Sequence, residues 1–160
     1  MPYAAFYNLF PEIAETETRA VTLLHRFVFN LPPASYSFIE MFCDEAGCDC
    51  RRVFLCVISS LDEKPKAVIA WGWETEDFYK KWMGSDPIDI DMLKGPSLNL
   101  ASPQSEIAPA LLNLFKQVLL PDQDYIERIK RHYHMFREKI DGKPRAGARI
   151  SKKSKTKKNR

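Results

Sequence analysis

Residues 35–60 read Ser-Tyr-Ser-Phe-Ile-Glu-Met-Phe-Cys (35–43), Asp-Glu-Ala-Gly-Cys-Asp (44–49) and Cys-Arg-Arg-Val-Phe-Leu-Cys-Val-Ile-Ser-Ser (50–60). Two runs rich in branched and aromatic side chains flank a short polar loop, the pattern of two strands joined at a hairpin tip. A connection this short favours antiparallel pairing, since a parallel pair needs a crossover of a dozen residues or more. Outward from this hairpin, residues 18–29 (Thr-Arg-Ala-Val-Thr-Leu-Leu-His-Arg-Phe-Val-Phe) and 66–74 (Lys-Ala-Val-Ile-Ala-Trp-Gly-Trp-Glu) predict strands on either side. They are separated from it by the Pro32-Pro33 breaker and the turn Asp62-Glu63-Lys64-Pro65. The expected sheet is an antiparallel meander.

Helical signals follow it. Thr75 is placed as an N-cap, with Glu76 and Asp77 at the positive end and Gly84 as a stop. Residues 85–104 carry three prolines and little periodicity and read as an ordered loop. Ser105 is placed to cap a helix with an apolar stripe of Leu111, Leu112, Phe115, Val118 and Leu119, ended by Pro121. Asp122 or Asp124 opens the last helix, to about Ile140. At about 100° per residue, Tyr125, Ile129, His132, Phe136 and Ile140 share one arc, so His132 faces the sheet and His134 the solvent. The fold class predicted is α+β, an antiparallel β-meander packed by C-terminal helices with a Cys-rich hairpin tip.

That tip concentrates the soft chemistry of the chain: Cys43, Cys48 and Cys50 form a Cys-x4-Cys-x-Cys cluster. Three thiolates around one point suit tetrahedral zinc at Zn–S distances of about 2.3 Å. Cys56 lies about 20 Å farther along an extended strand and reads as a small buried apolar residue. The inward-facing His132 is the predicted fourth ligand, with Asp44 and Asp49 as local substitutes. Closed coordination by three Cys and one His is structural, with no open position for a water nucleophile. Arg51 and Arg52 beside Cys50, with His25 as a base, offer the weaker alternative of a catalytic thiol. Asp86, Asp89 and Asp91 lack the glycine of a calcium loop. Trp71 and Trp73 share one side of their strand and read as core. No Gly-rich phosphate cradle or nucleophile elbow occurs.

The net charge of +3 is segregated. Residues 143–160 hold nine Lys/Arg and no acid, leaving 15 basic against 21 acidic side chains, or −6, for residues 1–142. The division expected is one globular domain over 1–142 and a disordered basic tail over 143–160. The tail suits nucleic acid or a ribosome through phosphate contacts. No apolar run approaches the roughly 18–20 residues of a membrane span, and the N-terminus lacks a signal-peptide layout. A cytoplasmic setting, with reduced cysteines available to metal, is the expectation.

Several of these motifs together carry a resemblance. The run Tyr36 to Cys43, the Cys48-Asp-Cys50-Arg51-Arg52-Val53 run, Trp71-Gly-Trp-Glu, Trp82-Met-Gly, Gly95-Pro96, Pro103-Gln-Ser105 and Arg131-His132-Tyr133 resemble an uncharacterised bacterial and archaeal family. Its members often end in a SEC-C zinc motif. The resemblance spans roughly residues 9–140 and implies no settled activity. The SEC-C motif itself is absent here: residues 143–160 contain no cysteine or histidine. The function expected is a non-catalytic, zinc-stabilised binding or adaptor domain. The alternatives are a nucleic-acid- or ribosome-associated protein acting through its tail, and a thiol- or metal-dependent enzyme.

Overall fold

A computed structural model describes residues 3–84 and 89–142. Among these residues the fold is α+β, with six antiparallel strands in one sheet. Helices Ala108–Leu114 and Gln123–Asp141 pack on one face and helix Glu76–Met83 on the other. The central hairpin is β3 (Ala34–Cys43) and β4 (Arg52–Ser59), joined to β5 (Pro65–Gly72). β1 (Tyr3–Ala5) and β2 (Arg19–Leu23) lie end to end along the outer edge of β3, with α1 (Phe6–Leu9) and α2 (Pro11–Glu17) between them. Then come α3 (Glu76–Met83), α4 (Ile90–Lys94), β6 (Ser97–Leu98), α5 (Ala108–Leu114), a π-helical turn (Phe115–Leu119) and α6 (Gln123–Asp141).

Period-two alternation sorts the strands. Phe38, Phe42, Leu55, Val57, Ile69 and Trp71 face the helices and meet Leu111, Phe115, Ile129 and Phe136 in one core. A smaller cluster of Phe54, Val68 and Ala70, with Tyr3, Met41 and Cys56 against it, occupies the other face. Buried apolar surface of this kind is the main term holding such a fold together.

Helix ends follow their local chemistry. Thr75 accepts from Phe78 N and Asp122 from Tyr125 N, so both act as N-caps. Ser105 does not cap α5; its hydroxyl donates to the carbonyl of Lys66 at 2.7 Å, and Ile107 holds the cap position. Residues 85–104, expected as a loop, contain α4, capped by Asp89, and β6. Beyond β6, Gln104 takes the place of a strand residue. Its side chain accepts from Val68 N and donates to Val68 O, both at 3.0 Å, which covers the β5 edge.

The first expected strand is shorter than 18–29: pairing stops at Leu23, and residues 24–33 loop out before β3. Asp86 and the basic segment 143–160 lie outside the described residues. No helix among the described residues is long and apolar enough to cross a membrane.

Candidate functional site

Cys43 closes β3, opposite Tyr3 of β1, and Arg52 opens β4, so the cysteine loop runs over residues 44–51. Cys43 and Cys50 therefore do not face each other across the ladder; it is the loop that gathers their side chains. A turn closed by Cys48 N donating to Glu45 O at 3.2 Å, with Gly47 at φ +76, folds Cys48 back. The Cys48 thiol interacts electrostatically with both Cys43 and Cys50. Cys43 and Cys50 are buried and Cys48 half-buried. Burial pushes all three thiols above their ordinary range.

The loop is anchored from two helices. Arg137 of α6 donates to the carbonyls of Cys43 and Glu45, the latter at 2.8 Å. Asp141, one turn on, accepts from Arg137 and from Gly47 N, each at 2.8 Å. Burial opposes the Arg137 charge, but the Asp141 carboxylate outweighs it and holds the guanidinium above its ordinary value.

Arg51 is the pivot between loop and strand. Its φ of +49 is unusual for a non-glycine residue and is over-determined by its surroundings. Tyr133 OH accepts from Arg51 N at 3.1 Å, and Tyr79 OH donates to Arg51 O at 2.8 Å. The guanidinium pairs with Asp49 and Glu74 and lies 4.6 Å over the Phe78 ring. Tyr79 reaches this carbonyl only because Gly72 has no Cβ: one there would collide with the phenol oxygen. Burial pushes Tyr79 up to about 12, so it remains a donor.

Beside the loop lies a cavity of about 530 Å³ whose walls include Cys48, Asp49, Arg51, Trp73, Tyr133, His134 and Arg137. Trp73 stands edge-on to Tyr133 at 5.0 Å. Trp71 is core, as expected, whereas Trp73 is half-buried on this wall.

His132 faces inward, as the wheel placed it, but toward different partners. Its Nδ1 lies 2.8 Å from Glu40 Oε1 and its Nε2 3.0 Å from Glu17 Oε1. Phe6 stacks on the ring at 4.2 Å, and Arg131 holds Glu17 at 2.5 Å. Both imidazole nitrogens are thus engaged by carboxylates and neither is turned to a cysteine, which corrects the expectation of a fourth ligand here. Burial lowers the His132 pKa, but Glu40 and then Glu17 outweigh it and hold it above its ordinary value. Glu40 itself is raised by burial, and Glu17 is lowered, first by Arg131.

The remaining expectations divide. Cys56 lies on the opposite face of the sheet, between Ile39 and Val68, and is only half-buried. Arg52 is buried, 5.1 Å over the Phe54 ring on the face opposite the main core. His25 lies in the exposed loop after β2, at the end of the sheet away from the cysteines, and is no base for them. Among the described residues no group of three or more His, Cys, Asp or Glu side chains is arrayed to hold a metal ion. Comparison with family models, curated proteins and solved structures gives no match to this chain.

Proposed function

We propose that this protein is a non-catalytic binding or adaptor domain stabilised by zinc at Cys43, Cys48 and Cys50. The observation that carries the reading is that Cys43, Cys48 and Cys50 share one loop whose backbone is anchored from α6 and α3, with Cys48 in electrostatic contact with the other two. A soft donor set of three thiols in reach of one another fits zinc better than a hard cation. Binding removes the thiol protons that burial retains and turns the sulfurs from one another toward the ion. A fourth donor comes from the side on which Cys48 meets the cavity, where Asp49 and His134 line the wall. His132 is not that donor. Its nitrogens belong to Glu40 and Glu17.

The alternative reading, a nucleic-acid- or ribosome-associated protein, draws on composition alone: nine Lys/Arg and no acid in residues 143–160. The resemblance to the SEC-C-associated family and a cytoplasmic location belong to the same proposal. Untagged protein analysed for metal, with thiols titrated before and after chelation, tests the zinc reading. One zinc per chain, with cluster thiols that titrate only after chelation, is the expected result. Three freely titrating cluster thiols and no stoichiometric metal would overturn it.

A further inference from the structure

The end of the sheet away from the cysteine loop carries a knob and a socket side by side. The knob is the loop after β2, Leu24-His25-Arg26-Phe27-Val28. Leu24 is 76% exposed, Phe27 94% and Val28 72%. The loop is tethered on both flanks: Phe29 packs against the core and Leu31 is fully buried. Three large apolar side chains presented to water by an anchored loop are unusual for a surface without a partner.

The socket is a cavity of about 290 Å³ lined by Pro32, Tyr36, Leu61 and Ile107, with Asp62 and Glu106 at its rim. Leu61, 65% exposed, forms its lip. Its volume is at the small end for binding pockets, suited to a side chain rather than a large ligand. Two bonds close the β3–β4 end beside the socket, Ser60 N to Ser35 O and Ser35 N to Ser60 Oγ, both 2.9 Å. The chain runs from the knob straight into the socket wall: Pro32, four residues past Val28, lines the socket and accepts from Tyr36 OH at 2.6 Å, and the Arg26 charge acts on that hydroxyl. Knob and socket are also opposite in charge. The knob carries His25 and Arg26 and no acid, whereas the rim sets two carboxylates against one amine, Lys66, which Asp62 already binds at 2.5 Å.

We propose that this end of the molecule is a homodimer interface, with Phe27 of each copy seated in the socket of the other. A knob that its own socket leaves exposed, beside a socket of opposite charge, is self-complementary across a two-fold axis passing between them. The second copy supplies both halves at once: an aromatic anchor in an apolar pocket, ringed by Arg26 against Glu106. The inference does not depend on metal at the far end of the sheet.

Sedimentation equilibrium of the full chain tests it. Wild type sediments at twice the 18.5 kDa chain mass. F27D and L61R change exposed side chains and leave the melting temperature of the monomer in place, yet each weakens the dimer about 100-fold. An equimolar mixture of F27D and L61R recovers dimer. It keeps one wild-type knob in one wild-type socket and sets the new carboxylate against the new guanidinium. A wild type that stays monomeric at its highest soluble concentration overturns the proposal, as does a dimer that F27D leaves intact. Weakening by F27D without weakening by L61R overturns the socket. A monomer that floats with phosphatidylcholine vesicles only when Phe27 is present assigns the knob to lipid instead.

Discussion

Glu40, on the helix-facing side of β3, holds Nδ1 of His132 at 2.8 Å across 92 positions of sequence. With Glu17 on the other ring nitrogen, the imidazole joins the central strand, the N-terminal helices and α6 at one point. A buried charge of this kind is tolerable only while its partners are present. The triad therefore reports on the register of α6 over the sheet, and α6 also supplies the anchors of the cysteine loop.

Removing the imidazole should be costly. Below about pH 6.5, where the ring is protonated, His132→Gln leaves Glu40 buried without its cationic partner, and a loss of about 3 kcal/mol is expected. The sign with pH follows from the shifts. The His132 value is raised in the folded protein, so its contribution is full below about pH 6.5 and fades as pH climbs through the raised value. Glu17 is lowered, so its contribution is present above about pH 4.3 and is lost as pH falls through the depressed value. Thermal melts of wild type and H132Q should differ most near about pH 5–6 and converge at higher pH. A gap that widens from pH 6 to 9 would contradict this assignment.

Metal content should depend on the cysteine loop and not on His132. Cys48→Ser is expected to release zinc, whereas Cys56→Ser, on the other face of the sheet, and H132Q, whose ring belongs to two carboxylates, should retain it. Metal-to-protein ratios of the three variants check this. Loss of zinc in H132Q with its fold intact would return His132 to the ligand set.

Arg137→Met should loosen the loop by removing the donors to Cys43 O and Glu45 O. A buried acceptor left without its donor costs about 1–3 kcal/mol. The loss should appear as a lower denaturation midpoint, together with faster reaction of Cys48 with a thiol reagent. Unchanged reactivity would mean that Arg137 does not set the loop.

Gly72→Ala should destabilise by about 1–3 kcal/mol, because the new methyl displaces the Tyr79 phenol from Arg51 O and overpacks a fixed site. Tyr79→Phe in the Gly72→Ala background should then add less than it does alone, since both break one contact. Additive losses in a double-mutant cycle would refute the coupling.

Truncation after Gly142 should leave the melting temperature and metal content in place and abolish binding to mixed-sequence RNA at low salt. The remaining chain carries −6, against nine cations removed. A truncated body that binds RNA as tightly as the full chain would place the attraction elsewhere.

The α+β class and the meander were legible because side-chain alternation and short connections are local properties: β3, β4 and β5 lie within a residue or two of their expected bounds. Thr75 was readable as a cap, and Asp122 as one of two candidates beside Asp124, for the same reason, since a cap needs only its own first turn. The inward face of α6 followed from helical period alone. What His132 would meet on that face did not. Glu40 carried a signal, a charge at an inward position among Tyr36, Phe38 and Phe42, and such a residue requires a buried partner. Only tertiary packing brings that partner from α6 and adds Glu17 and Phe6 from the N-terminal helices, which no periodicity linked to it. Likewise, sequence spacing placed three cysteines in one loop. Folding decided that Arg137, Asp141 and Tyr79 anchor it, and that Cys48 alone of the three lines the cavity. Local pattern determines which side a residue presents; which group waits there depends on how distant segments close, and that is set by the whole core.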